Sequence, residues 1–285
     1  MNPRFGTVTI VGVGLLGGSL GLALKDRGLA KLVRGVGRRQ EVLETARAMR
    51  AIDEGTLDLA GAMKGADLVV LCTPAALVPQ QLDVVRTRIA PHVVVTDVAS
   101  TKAEICAHIR TNWSEPYRFV GSHPMAGSEK YGPEHSTPHL YDGCVTIVEP
   151  KDNHADDAHE LVCALWRSVG SRVVEIPPQL HDDVVARTSH IPHIIAALVA
   201  ELAAGGGDVK DLVGKGFRDV TRIAEGRAEI WRDICLTNRD AIVAGLREFG
   251  EDVEAICGII EQGNADELDA FFQSAQAARR KALGE

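Results

Sequence analysis

Near the start of the chain, Thr7-Val-Thr-Ile-Val11 runs directly into Gly12-Val13-Gly14-Leu15-Leu16-Gly17 and then into the apolar stretch Gly18-Ser-Leu-Gly-Leu-Ala-Leu24. A β-branched run, a glycine-rich turn and an apolar helical pattern in succession specify a βα unit. The spacing gives each glycine a task. The first permits a tight turn, the second lets the backbone approach a pyrophosphate, and the third allows helix and strand to pack closely. Amide N–H groups at the helix N-terminus then face an anion. Glycines at this spacing are a weak signal alone, and a ligand-free turn is the competing reading. Strand, turn and helix in register argue for a dinucleotide site.

The same alternation continues to residue 176. Short apolar runs at 33–36, 68–71, 93–96, 119–120, 144–148 and 172–176 are interleaved with helical patterns at 15–27, 40–49 and 77–89. Near-continuous apolar strands separated by helices call for a parallel sheet covered on both faces. The expectation is a doubly wound α/β domain of the Rossmann type. After Pro177-Pro178 no strand pattern recurs. Helical patterns follow at 181–202, 208–217, 228–249, 251–261 and 265–283, broken by Gly205-Gly206-Gly207, Gly250 and Gly263. Two domains result, a dinucleotide-binding one at 1–177 and an all-helical one at 178–285, joined by a Pro-Pro hinge.

Composition narrows the function classes. Apolar residues make up 45% and charged residues 25% of the chain, the balance of an ordinary globular protein. With a net charge of −8 there is no general attraction to nucleic acid or to an anionic membrane, so any anion site is built locally. Six cysteines are scattered without a CxxC pair, which reads as free thiols rather than disulfides or a zinc site. No apolar run approaches the ~18 residues of a membrane span, and no basic leader is seen. A cytoplasmic protein without a metal is expected.

Three strand ends should line the dinucleotide crevice, because ligands in open α/β sheets bind beyond the carboxyl ends of the strands. The second strand ends in Val36-Gly37-Arg38-Arg39. An NAD site usually has a carboxylate there for the ribose hydroxyls, whereas two guanidinium groups match the 2′-phosphate of NADP. A solvated basic pair before a helix is the alternative, and NADP is favoured over NAD. The other two ends are Cys72-Thr73-Pro74 and the polar turn Asp97-Val-Ala-Ser100-Thr-Lys102.

The next run leads into Ser122-His123-Pro124. A histidine following such a strand points into the crevice, and imidazole is the usual general base near neutral pH. The segment Gly121-Ser-His-Pro-Met-Ala-Gly127, with Glu129 six residues past His123 and the 97–102 turn, resembles the prephenate/arogenate dehydrogenases of tyrosine biosynthesis. The helical half agrees through His181, Ser189-His190-Ile-Pro-His193, Gly216-Phe-Arg-Asp219-Val-Thr-Arg222 and Trp231-Arg232-Asp233. The resemblance covers nearly the whole chain, without room for an appended regulatory or mutase domain.

That resemblance implies oxidative decarboxylation of prephenate or arogenate by a homodimer joined through its helical domain. Hydride leaves the hydroxyl-bearing carbon, CO2 leaves the opposite ring carbon, and the ring becomes aromatic. In these terms His123 is the catalytic base, and Ser100 orients the imidazole or the nicotinamide. Arg222 clamps a substrate carboxylate. His193 is a substrate contact, His190 is either structural or functional, Asp219 holds Arg222 at i,i+3, and Glu129 gates the pocket or pairs with Lys130. Trp231 is read as helical core. Two alternatives remain at this level. A β-hydroxyacid-type dehydrogenase would need a catalytic lysine, for which Lys210 and Lys215 have no supporting motif. A non-catalytic NADP-sensing protein would not need His123, Ser100 and Arg222.

Overall fold

Apolar residues that alternate between two faces require helices on both sides of a strand, and this is the arrangement of the first half of the chain. It begins with β1 (Phe5–Val11), α1 (Leu15–Asp26), β2 (Ala30–Val36), α2 (Gln40–Ala48), β3 (Glu54–Thr56) and α3 (Leu59–Ala62). There follow β4 (Leu68–Leu71), α4 (Val78–Arg86), β5 (Val94–Asp97), α5 (Ala103–Asn112) and β6 (Phe119–Val120). The six strands form one sheet in the order β3-β2-β1-β4-β5-β6, parallel at every pairing. That is the dinucleotide-binding order, with β1 and β4 at the switch point. In β4, Leu68 and Val70 enter one core with Leu20, Leu24, Leu43 and Trp166, while Val69 and Leu71 enter a second with Leu82, Val85, Ile105 and Ile109. The period-2 alternation of a strand divides one apolar run between two cores.

A computed structural model describes residues 4–127 and 130–285. They fall into two compact units, one extending to Arg239 and the other spanning Asp240–Glu285. Beyond β6 the chain leaves the parallel sheet. The next elements are β7 (Ser122–Pro124), β8 (Val145–Val148), α6 (Asp156–Ser168) and β9 (Arg172–Glu175). They make a separate three-stranded sheet in which β7 is antiparallel and β9 parallel to β8. The runs at 144–148 and 172–176 are therefore strands, but not of the parallel sheet. The turn between β6 and β7 is Gly121, where a Cβ would lie 2.9 Å from the Cys106 sulfur.

The rest of the first unit is helical. It comprises α7 (Pro178–Val185), one π-helical turn at Ala186–His190, α8 (Ile191–Ala204), α9 (Lys215–Thr221), a 3-10 turn at Arg222–Glu225 and α10 (Ala228–Thr237). The pattern at 181–202 is thus an α–π–α succession. Pro192, in the first turn of α8, can neither donate to the preceding turn nor fit its ring beneath a tight one, and the wide π turn relieves both problems. The helix expected at 208–217 is instead a run of turns that enters α9 only at Lys215. Gly207 has φ +95° and the Asp208 carboxylate accepts the Lys210 amide at 3.4 Å, so local bonds compete with a helix.

The second unit consists of most of α11 (Arg239–Gln262) and α12 (Ala265–Leu283). Gly250 lies inside α11, so the expected break there is absent. The two helices are separated at Gly263, with φ +64°, and α12 is capped by Asn264, whose side chain accepts the Glu267 amide at 3.2 Å. No described helix is long and apolar enough to cross a membrane.

Candidate active site

The carboxyl ends of β1, β2, β4 and β5 converge at one edge of the parallel sheet. Gly12 ends β1 with φ +95°, and a Cβ there would lie 2.5 Å from the Cys72 carbonyl oxygen and 3.0 Å from Thr73 Cγ2. A Cβ on Gly17 would overlap the Gly12 carbonyl, so that glycine brings α1 against the turn. Gly14 differs, since nothing lies within 4 Å of its would-be Cβ. The N-terminus of α1 has no side-chain cap and no acidic residue in its first turn. Orphan amides therefore face open space across a residue with no side chain, which fits a pyrophosphate. Of the intervening residues Val13 is buried in the core, Leu15 and Leu16 are half-buried, and the Leu16 carbonyl accepts from the Tyr141 hydroxyl at 2.7 Å.

Arg38 and Arg39 follow β2 with both side chains exposed, and no described residue hydrogen-bonds or ion-pairs with either guanidinium. Cys72 is tied to β1 by its amide, which donates to Val11 at 2.7 Å, and burial pushes its thiol far up. A protonated thiol of this kind is inert lining. Thr73 donates to Gln81 at 2.6 Å, and Pro74 turns the chain into the short helix Ala75–Leu77, against which α10 packs.

At the end of β5 the Asp97 carboxylate is completely buried. It accepts from the Ala99 amide at 3.0 Å, from the Ser122 amide at 3.0 Å and from the Lys102 ammonium. Burial pushes this carboxyl up, while Lys102 and the two amides pull it down. The same carboxylate thus fixes the residue before Ser100 and the residue before His123. Ser122 is held further by its hydroxyl, which donates to the Asp97 carbonyl at 2.6 Å and accepts from the Trp166 indole at 2.9 Å.

His123 lies in β7, a strand of its own rather than the tail of β6. Its Nδ1 is 2.8 Å from His181 Nε2, and the rings meet edge to face at 5.1 Å. Burial pushes this imidazole well below its usual value, and the neighbouring His181, Lys102 and His190 push the same way. It is consequently neutral, and able to take a proton, across the physiological range. Among the described residues nothing hydrogen-bonds its Nε2.

The remaining candidate residues lie on the helical elements. His193 on α8 stacks on Trp231 of α10 at 3.4 Å and 13°, and His190 meets the same indole edge-on at 6.3 Å. Trp231 is therefore more than core filling, since it positions both histidines. His190 Nδ1 is engaged by the Asn238 amide at 3.2 Å. The turn carrying Arg222 packs on α8, and Arg222 itself is exposed with no described partner. Asp219 does not hold it. That carboxylate pairs with Lys215 at 3.5 Å, one helical turn earlier, because α9 ends before Arg222. Glu129 lies outside the described residues.

Sequence reasoning missed Asp182 and Asn238 and gave His181 no task. The signal available was the adjacent pair His181-Asp182 at the start of a helical segment, two ionisable groups that the fold then buries completely.

Residues 20–175 match the family model described as prephenate dehydrogenase, nucleotide-binding domain, and residues 177–274 match prephenate dehydrogenase, dimerization domain. The chain belongs to the prephenate dehydrogenase family. It is 31% identical to a prephenate dehydrogenase of Bacillus subtilis, over 98% of this chain and 76% of that protein. It is 29% identical to a cyclohexadienyl dehydrogenase of Zymomonas mobilis, over 96% and 95%. The crystal structure of prephenate dehydrogenase from A. aeolicus in complex with hydroxyphenyl propionate and NAD+ superposes with a TM-score of 0.91 at 29% identity, covering 97% of this chain and 98% of that one. This member of the family is a nicotinamide-dependent dehydrogenase that oxidatively decarboxylates prephenate, a reaction of tyrosine biosynthesis. The β-hydroxyacid reading of Lys210 and Lys215 is set aside.

Burial lowers His190 from the ordinary 6.5 to about 4. Above pH 6.5 the imidazole is neutral in folded and unfolded chains alike. Between 6.5 and about 4 the unfolded chain binds a proton that the folded one excludes, so stability falls as pH falls. The full loss is about 3 kcal/mol. In urea unfolding, acidification from pH 7 to 4.5 should cost the parent protein about 2 kcal/mol more than His190→Gln. Equal losses would show that His190 is not held neutral by the fold.

Proposed function

We propose that His123 is the base of this dehydrogenase and that its cofactor is NADP in preference to NAD. The observation that carries the first part is an imidazole held at Nδ1, neutral, and unbonded at Nε2 by any described residue, on a strand tied to the end of β5. When bound, the nicotinamide supplies the hydride acceptor. His123 Nε2 takes the hydroxyl proton as the C–H bond at that carbon breaks. Ser100, one residue past the Ala99 amide that Asp97 holds, orients the imidazole or the nicotinamide. Arg222 is free to pair with a substrate carboxylate, and His193, fixed against Trp231, closes the pocket as a neutral donor. Aromatisation of the ring supplies much of the driving force for loss of CO2, so positioning outweighs strong acid–base power.

Prephenate and its amino analogue arogenate share the ring, both carboxylates and the hydroxyl, so these groups serve either substrate. The expected assay result is reduced-cofactor absorbance on mixing the protein with prephenate, with arogenate or with both in separate reactions. His123→Asn should lower kcat by at least a hundredfold, the range of general-base catalysis. Retained turnover in that variant would remove His123 as the base.

Two guanidinium groups just past β2, neither with a described partner, support NADP, because a 2′-phosphate offers them an anion to pair with. Arg38→Ala combined with Arg39→Ala should weaken kcat/KM for NADP about tenfold or more while leaving that for NAD within about twofold. A uniform loss with both cofactors would place the arginines outside the phosphate site.

The domain division at 177/178 and a homodimer through the helical part belong to the same reading. Within the second unit, Ile260 and Phe272 are 59% and 58% exposed, and Phe249, Val253 and Phe271 are exposed beside them. An apolar stripe of this kind on a helix pair is covered by a symmetric copy. Sedimentation equilibrium should give twice the 30.5 kDa chain mass, and Phe272→Asp should shift it toward one. A monomeric parent protein would overturn the dimer.

A further inference from the structure

A histidine and a carboxylate are joined in series behind the proposed base. His123 Nδ1 is 2.8 Å from His181 Nε2, and His181 Nδ1 is 2.7 Å from Asp182 Oδ1. Both His181 and Asp182 are shut off from solvent, at 0% and 1% exposure. The Asp182 carboxylate is anchored in turn on the N-terminus of α5. Its Oδ1 accepts the Lys102 amide at 2.8 Å and its Oδ2 the Ala103 amide at 2.9 Å. The Asn238 side chain closes the far end by donating to the Asp182 carbonyl at 2.8 Å.

The donors and acceptors in this series can be assigned from one end. A carboxylate that accepts two backbone amides is an acceptor, so the proton between it and His181 sits on His181 Nδ1. A neutral imidazole protonated at Nδ1 has its lone pair on Nε2. His181 Nε2 therefore accepts, and the proton of the next bond sits on His123 Nδ1. That leaves the His123 lone pair on Nε2, the nitrogen that no described residue occupies. The proton on each ring follows from an aspartate two side chains away from the reacting atom.

We propose that His181 and Asp182 are positioning residues that hold His123 as the Nδ1-protonated tautomer and so present Nε2 to the substrate hydroxyl. This rests on the reading of His123 as the base. When Nε2 takes the substrate proton, His123 becomes an imidazolium and its Nδ1–H···Nε2 bond to His181 becomes charge-assisted. No proton needs to leave His123 toward His181 during the step. Asp182 stabilises the new cation through the intervening ring, and the α5 amides keep Asp182 from turning toward His123. The logic is that of a carboxylate holding the imidazole of a Ser-His-Asp triad in one tautomer, with a second imidazole interposed.

Asp182→Asn is the informative substitution because it keeps the shape. With its nitrogen at the Oδ1 position the amide donates to His181 Nδ1 and reverses the order of donors along the series. Its oxygen keeps the Ala103 amide, while the Lys102 amide, which shares Oδ1 with His181, loses its acceptor. His123 is then protonated on Nε2, the wrong nitrogen. The expected result is a fall in kcat of tenfold or more with KM for prephenate and NADP within about twofold. His181→Ala should do the same, and His181→Gln, whose amide oxygen can accept from His123 Nδ1, should recover part of the loss. Nitrogen-15 spectra of the histidine-labelled parent enzyme should show His123 with a proton-free Nε2 and a protonated Nδ1, and Asp182→Asn should exchange the two signals.

A parent spectrum with the proton on Nε2 overturns the relay, and it needs no variant to fold. So does an Asp182→Asn enzyme with unchanged kcat and unchanged His123 signals. His123→Asn separates the two levels of the argument. If that variant keeps its turnover, the base assignment falls. If it is inactive while the tautomer is reversed or indifferent to Asp182, the base stands and the relay falls.

Discussion

The buried Asp97 carboxylate is the point on which the site depends. Three donors reach it from separate stretches of chain: the Ala99 amide, the Ser122 amide and the Lys102 ammonium. It ties the turn carrying Ser100, which follows β5 of the parallel sheet, to β7 of the other sheet, which carries His123. The Ser122 hydroxyl adds a second tie through the Asp97 carbonyl. An ion pair so thoroughly excluded from water adds little net stability, yet removing one partner typically costs about 3–5 kcal/mol. What it supplies is geometry. Trp166, fully buried on α6, completes the anchor through the Ser122 hydroxyl.

Around this anchor the charge is sorted. An open helix N-terminus after β1 and two arginines after β2 with no described partner suit phosphates, although the chain carries a net charge of −8. Burial keeps His123, His190 and His193 below their usual titration range, so these three hydrogen-bonding groups are uncharged. Arg222, on the turn that packs against α8, is exposed with no described partner. A substrate with two carboxylates and a hydroxyl suits a site whose positive charge is confined to a few places.

Much of this was legible in residue order. The β1 turn, the ends of β4 and β5, and His123 could be assigned because a parallel sheet places consecutive strand ends on one edge, and a short apolar run reports its own end. Strand β3 was not legible, since Glu54-Gly-Thr56 carries no apolar signal and exists only through pairing with β2. The chain's departure into a second sheet at Gly121 was hidden because Ser122-His-Pro124 carries no apolar strand signal and 144–148 reads like any other strand. Asp219 went wrong because helical spacing was applied across the end of α9. His181 and Asp182 could be named but not given a task, since their meaning is a contact with residue 123 that no local pattern encodes.

The π turn at Ala186–His190 has a bearing on how this chain can vary. On an unbroken α-helix, positions 181 and 190 would face roughly opposite directions, nine steps of about 100° apart. Absorbing one residue in the wide turn brings them within roughly a quarter turn, and one Asn238 side chain ties the two helical stretches together at the Asp182 carbonyl and His190. The segment acts as a phase corrector between two histidine-bearing helices. Its length is thereby tied to its angle. Substitutions along its exposed side leave that angle alone, whereas loss of a single residue would swing the whole of α8, with His193, away from the indole it stacks on.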